Sequence, residues 1–124
     1  MRLAWHKYRA KRTEVDGISF PSKGEAGRYV ELRLQERAGE IRELKLQPRF
    51  PLLVGEPPVL VSTFVGDFQY LEKNSSTVIV EDFKGFYTPE CKLKHRLFVV
   101  LYPKIELRVI DKKGVNHVPK FPRR

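Results

Sequence analysis

The sequence predicts an α/β domain with a mixed central sheet flanked by helices, in the order helix, three strands, helix, strand. Two segments, 22–39 and 88–103, combine helix-start signals with apolar residues at helical spacing. The segments between and after them alternate in polarity or are rich in β-branched and aromatic residues, as strands are. A chain of 124 residues has room for one core, so we predict a single domain over residues 13–118.

The two ends of the chain are basic and show no structural period. Residues 1–12 mix five lysines and arginines with aromatic side chains, which indicates a flexible basic arm. Residues 119–124, PKFPRR, form a basic tail that is too short for a folded element. Between the arm and the first helix, Asp16-Gly17 separates two short β-prone stretches and predicts a hairpin with a primed turn.

The first helix begins with a capping box. Ser22 is the N-cap and Glu25 follows three residues later. Four apolar residues then recur at helical spacing: Ala26, Tyr29, Val30 and Leu34. Gly39 is placed to end the helix.

Three strands follow this helix. The first alternates between Leu44 and Phe50 and is interrupted by Pro48. The second is one long β-rich stretch, 59–71, and the third covers 77–84. Because only a short loop separates the second and third, we predict that they form an antiparallel hairpin.

The second helix starts at Thr88-Pro89, an N-cap followed by proline at the first helical position. Leucines at 93, 97 and 101 recur every fourth residue and predict the core-facing side, while the basic residues among them point elsewhere. Pro103 ends the helix, and the alternating segment 105–110 predicts a final strand.

Charge and composition narrow the function classes. The chain has 24 Lys and Arg against 15 Asp and Glu, a net charge of +9, which favours a polyanionic partner, nucleic acid above all. No apolar run is long enough to span a membrane, no secretory signal is evident, and one cysteine cannot form an internal disulfide. We therefore expect a protein of the reducing cytoplasm without a membrane partner.

The residues expected to contact nucleic acid lie in the arm and on the second helix. They are Lys7, Arg9, Lys11, Arg12, Lys92, Lys94, His95 and Arg96. The helical group could equally be a solvated helix face, and His95 could instead serve as a proton donor.

Charged residues inside two β-segments predict the chemistry. Asp82 and Lys84 share one face of the strand TVIVEDFK, and Glu81 points to the other. A hairpin turning at 74–75 pairs positions that sum to about 149, which places Asp67 opposite Asp82 with β-carbons roughly 5 Å apart. Two such carboxylates repel unless a cation lies between them, and Mg²⁺ prefers oxygen ligands. No organic cofactor is expected.

Each of these residues has another interpretation. Glu25 could serve only the capping box, and Asp67 could be an exposed acid of an edge strand. Asp82 and Lys84 could form a surface ion pair of little energetic value. Glu81 could replace Asp82 as a ligand if the strand phase differs by one residue, or could bind a second metal.

The chain also resembles a known group of enzymes. Asp67, followed fifteen residues later by Asp82-Phe83-Lys84 on the next strand, is similar to the signature of the PD-(D/E)XK nuclease superfamily. The segments KYRAKRTEVDGISFPSKGEAGRYVELRLQERAGEI, LQPRFPL, FVGDFQY and VEDFKG resemble a family of small phage and prophage proteins assigned to that superfamily. The resemblance implies a restriction-endonuclease-like αβββαβ core. It also implies that Glu25, Asp67, Asp82 and the carbonyl of Phe83 bind Mg²⁺, with Mn²⁺ as a substitute, and that Lys84 orients the attacking water.

The function expected from these observations is a metal-dependent DNA endonuclease. The resemblance implies products with 5′-phosphate ends and, as the most specific expectation, a homodimeric Holliday-junction resolvase acting on branched DNA in a bacterial host cell. A nicking or end-processing nuclease acting on linear DNA is an alternative, and so is a non-catalytic basic nucleic-acid-binding module.

Overall fold

Eight strands and two helices make up the described part of the chain, residues 12–111 and 113–114 of a computed structural model. In chain order they are β1 (Thr13–Val15), β2 (Ile18–Phe20), α1 (Lys23–Arg37), β3 (Ile41–Leu46), β4 (Arg49–Val54), β5 (Val59–Val65), β6 (Phe68–Glu72), β7 (Val78–Phe83), α2 (Pro89–Leu101) and β8 (Glu106–Ile110). The basic tail, the segment 115–118 of the predicted domain and all of the predicted arm except Arg12 lie outside the described residues.

The central sheet is mixed and has the strand order β3-β6-β7-β8. The first three strands are antiparallel neighbours, and β8 is parallel to β7 because α2 connects them as a crossover. β1 and β2 form one separate hairpin, and β4 and β5 form another. The predicted α/β class with a mixed sheet and two helices is therefore confirmed.

The helix starts follow the capping chemistry in the sequence. Ser22 accepts a hydrogen bond from the backbone N–H of Glu25 at 3.1 Å, and Thr88 does the same for Cys91 at 3.1 Å. Gly39 has a φ of 80°, the left-handed conformation that a residue after a helix commonly adopts, and its N–H bonds to the carbonyl of Glu36. The primed turn at Asp16-Gly17 is also confirmed, since both residues have positive φ.

Each face of the sheet packs against one helix. On one side, buried residues of β6 and β7 pack against the α1 residues Ala26, Tyr29 and Leu32. On the other side, Val80 of β7 and two β8 residues pack against Phe98 of α2. A strand that is buried on both faces reads as a nearly continuous apolar run, which explains the sequence of β7.

The prediction of one long strand over residues 59–71 is wrong. The stretch breaks at Gly66-Asp67, so that β5 pairs with β4 while β6 joins the central sheet. The break faces the one at Gln47-Pro48, where Gly66 donates to the carbonyl of Pro48 at 2.9 Å and Gln47 donates to that of Asp67 at 3.0 Å. Two strands therefore change direction together, which composition alone does not reveal.

The predicted core-facing side of the second helix is only partly right: Leu97 and Leu101 are partly buried and pack against the core, but Leu93 does not. Leu93 is 59% exposed, whereas His95 and Phe98 are 1% and 0% exposed. His95 thus points into the protein rather than away from it, because a buried carboxylate on β7 gives it a hydrogen-bond partner there. No helix among the described residues is both long and apolar enough to cross a membrane.

Candidate metal centre

Asp67 lies at the point where the β5–β6 stretch breaks. Its N–H donates to the carbonyl of Glu81 at 2.9 Å, and its Oδ2 accepts the N–H of Phe83 at 2.6 Å. The pairing of Phe68 with Glu81 gives the register sum of 149 that the sequence predicted. The short loop between β6 and β7 thus aligns Asp67 with Asp82 on the neighbouring strand.

Asp82 is 2% exposed, and besides Asp67 it has two nitrogen partners. Its Oδ2 lies 2.7 Å from Nε2 of His95 and 3.3 Å from Nζ of Lys84. Burial alone would raise the pKa of Asp82, but the hydrogen bond from His95 and the charge of Lys84 outweigh it and lower that pKa. Asp82 is therefore a carboxylate, and Lys84 keeps its positive charge because Asp82 raises its pKa against the effect of burial.

Asp67 and Asp82 behave as one coupled pair. Burial, the negative charges of Asp82 and Glu25 and a hydrogen bond with Asp82 raise the pKa of Asp67 to about 9. Near neutral pH one carboxyl group of the pair therefore carries a proton, as expected for two acids that cannot both ionise at short range.

Glu25 faces the same region from the first turn of α1. It is 7% exposed, and its pKa is raised by burial and by Asp82 while Lys84 and Arg12 oppose the rise. Among the described residues, the cap of α1 uses the Ser22 hydroxyl and the Glu25 backbone, and no bond joins the Glu25 carboxylate to the N–H of Ser22. The carboxylate is therefore not engaged in the capping box that the sequence suggested.

The oxygen atoms at this site are of the type that a hard divalent cation prefers as ligands. Asp67 and Asp82 offer carboxylate oxygens, and the raised pKa of Asp67 indicates that positive charge between the two groups is favourable. No three His, Cys, Asp or Glu residues within 12–111 and 113–114 are grouped closely enough to hold a metal ion. Mg²⁺ commonly uses one or two carboxylates and completes its shell with water and phosphate oxygens, so the pair is sufficient as a starting set.

Glu81 lies on the opposite face of β7 from Asp82, as the strand alternation predicts. It is 1% exposed and forms two bonds to Arg28 of α1, at 2.7 and 2.6 Å, and a third to the hydroxyl of Tyr70. The strand phase is thus not shifted, and Glu81 joins α1 to the sheet rather than facing Asp67.

A cavity of about 170 Å³ adjoins Asp82 and Lys84. Its wall also includes β5 and α2 residues, namely Thr63, Phe64, Val65, Cys91, Lys94 and His95. A larger cavity of about 510 Å³ lies beside Phe83 and the start of α1, and neither Asp67 nor Asp82 lines it. The smaller cavity, where lysines and a carboxylate meet, is the one whose chemistry suits a phosphate group.

The basic residues expected to contact nucleic acid are distributed unevenly. Lys7, Arg9 and Lys11 lie outside the described residues, and Arg12 bonds to the hydroxyl of Ser19 at 3.1 Å. On α2, Lys92 and Arg96 are exposed, Lys94 lines the smaller cavity, and His95 is buried. His95 therefore offers no surface for a nucleic-acid contact in this conformation.

Sequence reasoning raised Lys84 as a partner of Asp82, an ion pair that the structure contains at 3.3 Å, but missed His95 and Tyr87. His95 bonds to Asp82 through Nε2 and lies 2.7 Å from the hydroxyl of Tyr87 through Nδ1. The available signal was the spacing of His95, Phe98 and Tyr102, an aromatic stripe at helical intervals that competes with the leucine stripe.

Comparison with known protein families gives a match over most of the chain. The family model described as "Protein of unknown function (DUF1064)" matches residues 5–116. The chain belongs to this family. No curated protein and no solved structure matches it. The DUF1064 match includes all four residues that the sequence singled out for catalysis, Glu25, Asp67, Asp82 and Lys84.

Proposed function

We propose that this DUF1064 chain is a metal-dependent DNA endonuclease of the PD-(D/E)XK type, acting in the bacterial cytoplasm. One observation carries the proposal: Asp67, directly before β6, lies close enough to Asp82 of β7 that burial and the charge of Asp82 raise its pKa and it holds a proton, and Lys84 lies 3.3 Å from Asp82. A buried pair of acids is costly for stability unless a cation can replace that proton. The net charge of +9 suits a polyanionic substrate.

The topology supports the same proposal. If the β4–β5 hairpin is regarded as an insertion, the remaining order is α1, β3, β6, β7, α2, β8. That order corresponds to the αβββαβ core of restriction-endonuclease-like enzymes. In that order Asp67 directly precedes the second strand and Asp82 lies near the end of the third, so the two acids of the resemblance lie beside neighbouring strands.

The proposed roles follow from position. Asp67 and Asp82 would bind Mg²⁺ or Mn²⁺ together with the backbone carbonyl of Phe83. Glu25 would be a further ligand only after moving closer to the pair than it lies in this conformation. When bound, the ion would polarise the scissile phosphate. Lys84, 28% exposed in its side chain and next to the cavity, would hold the attacking water and stabilise negative charge in the transition state. We take branched DNA as the substrate and a homodimer as the active species.

The decisive experiment is a cleavage assay on junction, flap and linear duplex DNA with Mg²⁺ or Mn²⁺. We expect cleavage that leaves 5′-phosphate ends. The variant Asp82→Asn should lose it while binding DNA at least as tightly, since a repelling charge is gone. Glu81→Gln is the matched control, because Glu81 precedes Asp82 on the same strand but faces α1. Intact DNA with the wild-type protein under all these conditions would refute the proposal.

One rival function has a specific observation in its favour. Asp82 already has His95 and Lys84 as partners, which would also suit a non-catalytic basic module that binds nucleic acid. Such a module would bind DNA and cleave none of it, with or without the Asp82→Asn change. If the wild-type protein does cleave DNA, its preference among junction, flap and linear duplex substrates distinguishes a junction enzyme from one that nicks or trims linear DNA.

A further inference from the structure

Behind Asp82 lies a chain of hydrogen bonds that the proposed mechanism does not use. Tyr87 and His95 are joined at 2.7 Å through Nδ1, and His95 and Asp82 at 2.7 Å through Nε2. Since an ionised carboxylate only accepts hydrogen bonds, Nε2 donates to Asp82, and in the neutral ring Nδ1 accepts from the Tyr87 hydroxyl. Tyr87 thus determines the orientation of the His95 ring, and His95 determines the orientation of the Asp82 carboxylate.

The His95 ring is fixed by packing as well as by these bonds. The ring of Phe64 meets it edge-on with centroids 5.2 Å apart, and the ring of Tyr87 lies 5.2 Å away at a tilt of 50°. His95 is 1% exposed. A ring that contacts two aromatic rings and is bonded at both nitrogens has one orientation, so the N–H that it presents to Asp82 is directed at one point.

We propose that His95 is a positioning residue for Asp82, with Tyr87 fixing the hydrogen position on its ring. This inference rests on the proposed function, in which Asp82 binds a divalent ion. His95 and Lys84 both contact Oδ2 of Asp82, which leaves Oδ1 for the cation. Groups that orient a metal-binding side chain in this way typically contribute about 10–100-fold to metal affinity.

A catalytic role for His95 is disfavoured by its location. Although His95 lines the smaller cavity, its side chain is 1% exposed and bonded at both nitrogens, so it has no free group to offer a substrate phosphate or a leaving oxygen. A purely structural role is also insufficient, because an apolar side chain of similar size would fill the same space beside Phe64 and Tyr87. The hydrogen bond to Asp82 requires histidine, or another donor of similar reach, at this position.

The test measures Mn²⁺ binding by the electron paramagnetic resonance of free Mn²⁺, without DNA, on the full chain. His95→Leu keeps the bulk and loses the donor, and we expect its dissociation constant for Mn²⁺ to rise about 10–100-fold. His95→Gln keeps an N–H donor at similar reach and should restore affinity to within a few-fold of the wild type. Tyr87→Phe should weaken binding less than His95→Leu but in the same direction.

Phe98→Leu is the matched control for packing. Phe98 lies one turn further along α2 and is also fully buried, so this variant should lower the melting temperature and leave Mn²⁺ affinity unchanged. Circular dichroism melts identify any variant that fails to fold. If His95→Leu fails to fold, the Mn²⁺ affinities of Tyr87→Phe and His95→Gln decide whether His95 positions Asp82.

The outcomes separate this inference from the proposed function. Equal Mn²⁺ affinity in the wild type, His95→Leu and Tyr87→Phe would overturn the positioning role and leave the nuclease proposal standing. A wild-type protein that binds no Mn²⁺ would overturn both. Loss of affinity in His95→Gln as severe as in His95→Leu would also count against positioning, because the donor would then be irrelevant.

Discussion

The raised pKa of Asp67 has a consequence for stability. In the unfolded chain this carboxyl group titrates near 3.8, and in the folded protein near 9. Between these values the folded state holds a proton that the unfolded state has released, so the contribution of Asp67 to stability is complete below about pH 3.8 and is lost as the pH rises through about 9. Metal-free protein should therefore become less stable, through this group, as the solution becomes alkaline.

The variant Asp67→Asn tests this prediction. Asparagine cannot ionise and can still donate to Asp82, so the variant should gain stability over the wild type progressively between about pH 3.8 and about pH 9. The measurement is the melting temperature in excess chelator, where about 1 kcal/mol corresponds to roughly 4 °C in a domain of this size. A difference that stays constant across the pH range would show that Asp67 does not hold the proton.

The same pair predicts how metal ions affect stability. A divalent ion must displace the proton from Asp67, so its stabilising effect should increase with pH up to about 9. At a concentration about 100 times the dissociation constant, a ligand of the folded state adds about 2.7 kcal/mol. Melting curves with and without Mg²⁺ at two pH values measure this. In the Asp67→Asn variant the pH dependence of the gain should disappear.

Gly66 has a steric requirement that comes from its neighbours. A β-carbon built there would lie 2.7 Å from a methyl group of Val80 and 3.4 Å from Pro48. We expect Gly66→Ala to cost about 1–3 kcal/mol of folding free energy, as overpacking in a core does, and to displace the adjoining Asp67.

Gly27 provides the matched control for Gly66. It lies inside α1, and outside that helix no described residue comes within 4 Å of a β-carbon added to it, so Gly27→Ala should stabilise the protein by about 0.5–1 kcal/mol. Urea denaturation of the two variants measures both changes. Equal effects of the same sign would contradict the steric argument.

At the scale of elements, α1 is joined to the sheet by an ion pair under the helix. Arg28 donates twice to Glu81 of β7, and the two side chains are 21% and 1% exposed. Arg28→Ala would leave a buried carboxylate without its charged partner, and we expect a loss of about 3 kcal/mol, the lower end of the range for buried pairs because Arg28 is partly exposed.

The Arg33–Glu36 pair serves as a control on the same helix. These side chains are 37% and 27% exposed, and a surface pair contributes at most about 1 kcal/mol. Arg33→Ala should therefore destabilise much less than Arg28→Ala in urea denaturation. Mn²⁺ affinity should be unchanged in both, since Glu81 faces away from Asp82.

The elements also show what the sequence could and could not predict. The register between Asp67 and Asp82 was predictable because a short loop determines the pairing of the strands that it joins. The break at Gly66-Asp67 was not, because it depends on a matching turn at Gln47-Pro48, far away in sequence. The same holds for His95, whose burial depends on Asp82 of β7 and cannot be read from the pattern of α2 alone.

At the scale of the whole molecule, charge should govern DNA binding. Each lysine that neutralises a phosphate adds about 0.9 to the slope of log affinity against log salt. Lys94 lines the smaller cavity, so Lys94→Gln should reduce that slope by about 1 and weaken binding to all sequences equally. Lys73, at the opposite end of β6, is the control. Equal effects of the two changes would place the DNA elsewhere.

The β4–β5 hairpin is the surface best suited to the proposed homodimer. Residues 50–66 contain one charged residue, Glu56, in a chain with net charge +9. Six large apolar side chains of this hairpin are exposed: Leu53, Val54, Val59, Leu60, Val61 and Val65. A two-stranded sheet is marginally stable in water, and no third strand from the described residues pairs with this one.

A second copy is the partner that this surface suits. A twofold interface brings the same patch of both copies together, so on a strongly basic protein the two copies meet without repulsion only where the patch is uncharged. Two hairpins packed around a twofold axis would cover their apolar side chains and could extend each other's sheets. The base of the hairpin, Thr63 to Val65, lines the cavity beside Asp82, so the two candidate sites would lie on one assembly.

Sedimentation velocity tests this prediction. The wild type should sediment with twice the mass of the 14.5 kDa chain. Val61→Lys should sediment as a single chain, because two buried lysines would face each other across the twofold axis of the dimer. Val100→Lys is matched in residue type and in exposure, 61% against 60%, but lies on α2 and should leave the dimer intact. A wild type that sediments as a single chain at every concentration would refute the dimer. If instead Val100→Lys dissociates a wild-type dimer and Val61→Lys does not, the two copies meet on α2.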